Sequence, residues 1–307
     1  MAKRCTEEPL IILCPPRSFS SVVCAMLGQH PAIYGFPELN LFVTDTLDAL
    51  VTLNEGEGPH AHTGVGSYIG GLLRVIAELY FGEQTALTVA KALDWVLARR
   101  QFSTKHTMDS LLVEIFPRIG VDKSTRTAMS RKSIQRASSF YPSAKFLHLT
   151  RHPVATVKSM WECHQPFSFP DESGSNDRTI YTYCAHVWYQ AHRSILDLTN
   201  ALPSHQKLQV QAEDLLQQPD TCLANIASWL GGDAGPDAIE AMKHPERSPY
   251  ATCGLLEVRG DNDATFLRHP KLRKIEPPPS LKILVEWGLD DGLVAQIRKL
   301  ANQLGYG

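Results

Sequence analysis

Leu10-Ile11-Ile12-Leu13-Cys14-Pro15-Pro16-Arg17-Ser18-Phe19-Ser20-Ser21 decides the fold. A continuous apolar run closed by two prolines predicts a strand buried on both faces, since a half-exposed strand would alternate with polar residues. Val22, Val23, Ala25, Met26 and Leu27 then suit a buried helix over Ser21–Gly28, with Gly28 as its stop. The same alternation recurs downstream. Ala32–Phe36, Ile119–Asp122, Ala144–Thr150 and Lys207–Gln211 read as strands. Helical spacing marks Ser67–Phe81, Gln84–Arg100, Thr104–Phe116, Thr125–Phe140 and Asp290–Leu304, and a helix from about Asp214 to Trp229 is closed by Gly231-Gly232. Pro153 fits the first turn of a further helix. Strands alternating with helices predict an α/β fold, with a mainly parallel central sheet flanked by helices and a helical insertion at about 42–118.

The chain has 307 residues, 43% of them hydrophobic, with 30 basic and 32 acidic side chains and a formal charge of -2. The length is read as a single domain over 1–307, irregular between about 244 and 280. The charge balance excludes an extended basic surface of the nucleic-acid-binding kind. The apolar content excludes disorder. No apolar run approaches the roughly 18 residues of a membrane span, and the first apolar run reads as a strand and not as a signal peptide. Seven cysteines, scattered and never spaced CxxC, are expected as reduced thiols of a cytoplasmic protein, with Cys14, Cys24 and Cys222 in apolar surroundings. His60-Ala61-His62, near Glu55 and Glu57, reads as exposed loop, so no metal is expected.

In open parallel sheets ligands bind beyond the carboxyl ends of the strands, so chemically capable residues just past strand ends are the candidates. The first strand delivers Arg17, Ser18, Phe19, Ser20 and Ser21 at a helix start, an anion cradle of free amides, hydroxyls and a guanidinium. Helix capping by Ser20 or Ser21 is the plainer reading, but Arg17 is more than capping needs. The pattern is not GxxxxGK[ST], so nothing is placed to hold a triphosphate and Mg²⁺. The second strand delivers Glu38, a general base or else a surface carboxylate or a partner for Arg17. The third delivers Lys123. The fourth delivers Arg151, with Ser159 eight residues on, where a second anion site is reasonable. His152, Thr156 and Ser159 share a helical face. Two separate anion sites suit a nucleoside 3′,5′-bisphosphate better than a triphosphate.

Taken in order, these motifs resemble the sulfotransferase superfamily that uses 3′-phosphoadenosine 5′-phosphosulfate (PAPS). Pro16-Arg17-Ser18-Phe19-Ser20-Ser21 resembles its 5′-phosphosulfate loop, and Arg151-His152-Pro153 through Ser159 its 3′-phosphate motif. Asp122-Lys123-Ser124 matches a common element, and Gln211-Ala212-Glu213-Asp214-Leu215-Leu216 with Pro219 and Leu230-Gly231 is similar to another. Pro37-Glu38-Leu39-Asn40-Leu41-Phe42 and His244-Pro245-Glu246-Arg247-Ser248-Pro249-Tyr250 resemble stretches of bacterial members, the latter in sulfotransferases of polyketide and olefin assembly lines. The resemblance implies that Arg17, Ser18, Phe19, Ser20 and Ser21 hold the 5′-phosphosulfate and Arg151 and Ser159 the 3′-phosphate. It implies Glu38 or His244 as base and Lys123 as stabiliser of the leaving group.

Three departures stand out. Phe19 replaces a glycine, Ala212 stands where many members carry tyrosine, and the carboxy-terminal basic loop has only Arg259-Gly260-Asp261 or Arg273-Lys274 as stand-ins. The reaction implied is in-line sulfuryl transfer to a hydroxyl of a small molecule or an acyl-carrier-bound chain, releasing 3′-phosphoadenosine 5′-phosphate (PAP). The acceptor pocket would be shaped by 42–118 and a mobile 244–280 segment; a homodimer is compatible with this scheme. The rivals are a P-loop-type kinase of a small metabolite and a non-catalytic bisphosphonucleotide-binding module.

Overall fold

A computed structural model describes residues 8–55, 67–164, 177–252, 263–272, 275–277 and 279–307. Five strands form its sheet: β1 Leu10–Leu13, β2 Ile33–Gly35, β3 Ile119–Asp122, β4 Lys145–Thr150 and β5 Lys207–Gln211. All pairings are parallel, in the order β2-β3-β1-β4-β5. The α/β architecture is the expected one, and β3 and β5 keep the expected bounds.

β1 is central, and its four side chains are fully buried. Successive strand side chains point to opposite faces, so Leu10 and Ile12 join one core and Ile11 and Leu13 another. The first core contains helices Ser20–Leu27 and Pro219–Leu230. The second holds the helices between β2 and β3: Leu47–Glu55, Gly70–Phe81, Ala86–Leu97 and Thr104–Ile115. A third cluster joins helices Pro153–His164, Asp177–Thr199 and Asp291–Gln303 beside β4 and β5.

Two expected helices are divided. Thr125–Phe140 becomes Thr125–Ala128 and Arg131–Phe140, because the Ser130 side chain accepts from the Ser133 amide and starts a new helix. The helix toward Trp229 becomes Ala212–Gln217 and Pro219–Leu230, since proline is tolerated only in a first turn. Gly231 ends the second piece with φ 85°, a left-handed turn that glycine adopts without strain.

Asp177–Thr199, the longest helix described, carries no expectation from the sequence. Its buried stripe is Cys184, Ala185, Trp188, Ala191, His192 and Ile195, a helical period written mainly in small and polar residues. Cys14, Cys24 and Cys184 are buried, Cys222 is half-buried and Cys163 exposed. Among the described residues no helix is long and apolar enough to cross a membrane, and no group of three potential metal ligands gathers. His60-Ala61-His62, Cys5, Cys253, Arg259-Gly260-Asp261 and Arg273-Lys274 lie outside the described residues.

Candidate active site

β1 ends against a turn with two non-glycine residues in the left-handed region, Arg17 at φ 65° and Phe19 at φ 62°. Such conformations cost roughly 1–2 kcal/mol each and persist where surrounding contacts hold them, most often at ligand sites. Phe19 is the N-cap of the Ser20–Leu27 helix and makes no side-chain cap hydrogen bond, so neither Ser20 nor Ser21, both inside the helix, is the hydroxyl cap expected of them. The Ser18 hydroxyl is fully buried with no protein partner.

Arg17 links the two expected anion sites. Its Nε donates to Ser159 Oγ at 3.1 Å, across 142 residues of sequence. Arg151 Nη1 donates back to the Arg17 carbonyl, and the Arg151 guanidinium lies 4.0 Å from the centre of the Phe19 ring. Burial pulls the Arg151 guanidinium down to about 10, with Glu213 opposing that shift. Arg151 Nε is itself buried without a partner. Two orphaned polar atoms, Ser18 Oγ and Arg151 Nε, thus flank one cationic turn, and a phosphate-bearing ligand is the kind of group that satisfies both. Arg17 Nη1 also meets the Asp263 carboxylate at 2.8 Å, and the Asp263 amide donates to Ser21 Oγ at 3.1 Å. This internal anion had no signal in the sequence.

Glu38 and Lys123, from the ends of β2 and β3, form a buried ion pair. Nζ stands 3.2 Å from Glu38 Oε1 and 3.3 Å from Ser21 Oγ, so Lys123 joins carboxylate and cradle. Glu38 is 6% exposed and Lys123 1%. Thr125 Oγ1 donates to the same carboxylate oxygen at 3.4 Å. Glu38 therefore pairs with Lys123, not with Arg17.

The Glu38 loop is held from two sides. Ser124 Oγ donates to Asp122 Oδ1 at 2.7 Å and accepts from the Asn40 amide at 2.9 Å, which supports Asn40 at φ 56°. Burial raises the Asp122 carboxyl to about 6, against the hydrogen bonds from Ser124. On the other side, a Cβ at Gly71 would fall 2.0 Å from the Glu38 carbonyl oxygen. Only glycine permits that approach.

The His244 imidazole makes its polar contacts with two glutamates. Its Nδ1 is 2.8 Å from Glu246 Oε1 and its Nε2 3.6 Å from Glu240 Oε1, and neither contact reaches the cradle. Direct contacts link Arg17, Ser21, Glu38, Lys123, Arg151 and Ser159, through Asp263 between Arg17 and Ser21, and the His244 side chain makes no hydrogen bond or ion pair with them.

A Sulfotransferase family model matches residues 9–235, a span that holds the cradle, Glu38, Lys123 and Arg151. The chain belongs to the sulfotransferase family. This sulfotransferase shares its fold with the "Sulfotransferase Domain from the Curacin Biosynthetic Pathway", at TM-score 0.74 and 20% identity over 98% of each chain. It is also similar to the "Sulfotransferase Domain from the Synechococcus PCC 7002 Olefin Synthase", at TM-score 0.72 and 25% identity over 98% of this chain and 96% of the other. A sulfotransferase from Mycobacterium avium matches more loosely, at TM-score 0.54 and 14% identity over 98% of this chain and 78% of the other. No curated protein sequence matches the chain. Family membership makes it a transferase enzyme and sets aside the kinase.

Proposed function

We propose that this sulfotransferase moves the sulfuryl group of PAPS to a hydroxyl of a small-molecule or acyl-carrier-bound acceptor. The observation that carries the reading is the joining of the two anion sites through Arg17, with Ser18 Oγ and Arg151 Nε buried and unpartnered beside them. PAPS supplies an electrophilic sulfuryl group on a bisphosphate leaving group. Arg17, Ser18, Ser20, Ser21 and the first amides of the Ser20–Leu27 helix bind the 5′ end, and Arg151 and Ser159 bind the 3′-phosphate, with Phe19 stacked on Arg151.

Lys123, already between Ser21 and Glu38, stabilises negative charge that develops at the cradle. Glu38 accepts the proton of the acceptor hydroxyl, a role worth roughly 10²–10⁴ in rate. It is preferred to His244 because it touches Lys123 while His244 touches only surface carboxylates. Asp263 shares Arg17 and must yield to, or rearrange around, the incoming anion. No metal enters this scheme; positioning and electrostatics carry it.

Acceptor recognition falls to the helices between β2 and β3 and to the 244–280 segment. A carrier-bound acceptor is favoured by the likeness to the curacin-pathway and olefin-synthase domains. Calorimetry with PAP tests the donor site. Arg17→Ala and Arg151→Ala are each expected to weaken binding by about 10–100-fold, the value of a charge-assisted contact. Unchanged affinity in both variants overturns the assignment. Labelled PAPS offered with phenols, sterols, sugars and carrier-bound hydroxyacyl chains then identifies the acceptor by label transfer.

A further inference from the structure

Three successive residues at the end of β4, Thr150, Arg151 and His152, are each gripped by a side chain from another part of the fold. Trp188 Nε1, from the Asp177–Thr199 helix, donates to the Arg151 carbonyl at 3.0 Å. Glu213, from the helix after β5, accepts the His152 amide on Oε1 at 2.9 Å. Tyr306, which follows the Asp291–Gln303 helix, donates its hydroxyl hydrogen to Glu213 Oε2 at 2.9 Å. With that hydrogen committed, the 2.9 Å contact between Thr150 Oγ1 and the Tyr306 oxygen has Thr150 as donor. The Tyr306 ring also stands edge-on to His152, with centroids 5.6 Å apart.

Thr150, His152, Trp188, Glu213 and Tyr306 are all buried, with Thr150 and Trp188 at 0% exposure and Glu213 at 6%. An arginine side chain has many rotamers, so aiming it at one phosphate requires a fixed backbone on both sides of it. Ordinary strand and helix hydrogen bonds end at this turn, where the chain passes from β4 to the Pro153–His164 helix. The three side chains supply what those elements do not, and Glu213 places a carboxylate beside the guanidinium's own anchor.

We infer that Trp188, Glu213 and Tyr306 are positioning residues for the donor, a clamp that aims Arg151 at the 3′-phosphate. The inference rests on the PAPS reading above and names residues that reading does not use. A clamp acting through Arg151 makes a specific demand: loosening it weakens ligands that carry a 3′-phosphate and spares those that lack one. A residue that only supports the fold weakens both alike.

The test measures adenosine 3′,5′-bisphosphate and adenosine 5′-phosphate binding by calorimetry in the full chain, its Tyr306→Phe variant and its Trp188→Phe variant. Tyr306→Phe removes one hydrogen-bond donor and keeps its ring, whereas Trp188→Phe removes the indole N–H and leaves a smaller aromatic ring in a fully buried position. The unmodified chain is expected to prefer the bisphosphate strongly. Each variant is expected to lose about tenfold in bisphosphate affinity, and less than twofold for the monophosphate. Trp188→Phe carries the test if Tyr306→Phe fails to fold, because it leaves the buried Glu213 carboxylate fully paired. Equal weakening for both nucleotides, or no weakening for the bisphosphate, overturns the clamp while leaving the PAPS reading intact. An unmodified chain with no preference between the nucleotides overturns the PAPS reading, and the clamp with it.

Discussion

Glu38→Gln separates the two roles that the Glu38–Lys123 pair combines. The substitution keeps the side chain's shape and an acceptor oxygen but removes its charge, leaving the Lys123 ammonium buried at 1% exposure. At 3.2 Å, two unit charges attract by about 5 kcal/mol with an effective dielectric constant near 20. The retained amide oxygen returns about 1 kcal/mol as a neutral acceptor, and water reaching the loop returns some more. The free protein should therefore lose about 3 kcal/mol of stability, in the usual range for breaking one half of a buried pair.

Binding changes in the opposite direction. A bound phosphate at the cradle restores a counter-charge to Lys123, so PAP affinity is expected to be unchanged or up to tenfold tighter. Turnover with PAPS should fall by roughly 10²–10⁴, the contribution of a positioned base. Three assays read these outcomes: chemical denaturation without ligand, calorimetry with PAP, and initial rates with a responsive acceptor. Turnover within threefold of the parent refutes Glu38 as base. An unchanged denaturation midpoint refutes the energetic account of the ion pair. Weaker PAP binding refutes the idea that phosphate and carboxylate are interchangeable partners of Lys123.

Other expectations follow from the same geometry. Phe19→Gly and Phe19→Ala both remove the ring stacked on Arg151 and should weaken PAP binding about fivefold, but glycine suits φ 62° and should leave the protein about 1 kcal/mol more stable than alanine does; denaturation of the pair checks the order. Gly71→Ala must push back the Glu38 backbone, and should lower kcat by about 100-fold with PAP affinity retained, a split visible in steady-state kinetics and calorimetry. Burial holds His148 down to about 3 and His192 well below its ordinary value, so the unfolded chain binds more protons than the folded one beneath pH about 6.5. Their contribution to stability is complete above that pH and is lost as pH falls, by about 1.4 kcal/mol per pH unit for each histidine. Asp122, raised to about 6, acts oppositely and offsets roughly one of the two between pH 4 and 6. Denaturation across pH 5–7.5 should show a positive slope, reduced in His192→Asn; a flat profile contradicts the neutral histidine pair.

The strand ends were legible because they are local. Leu10–Leu13 is apolar throughout, the prolines follow at once, and both facts survive any packing. Arg17, Glu38, Lys123 and Arg151 each follow a strand within a few residues, so topology alone brings them to one edge. The Asp177–Thr199 helix was not legible, since its buried face contains Cys184, Ala185, Ala191 and His192 where a typical core helix carries leucine or isoleucine. His244 looked chemically competent in the sequence, yet its two neighbours are surface carboxylates. The breaks at Ser130 and Pro219 were not read from the sequence, although the serine cap and the first-turn proline that make them are local features.

By itself the sequence determined the alternation of strand and helix and the set of charged and hydroxyl residues at the sheet edge. Hydrophobic period, proline and glycine act within a few residues, and their effects can be counted along the chain. The tertiary structure decided the partners: Lys123 with Glu38 and Ser21, Arg17 with Ser159 and Asp263, and Tyr306 with Glu213 and Thr150. Those pairs are separated by up to 246 residues, since Arg17 and Asp263 close the longest loop. Which distant side chains meet is set by how helices pack on a twisted sheet, to within an ångström, and no spacing rule in one dimension carries that information.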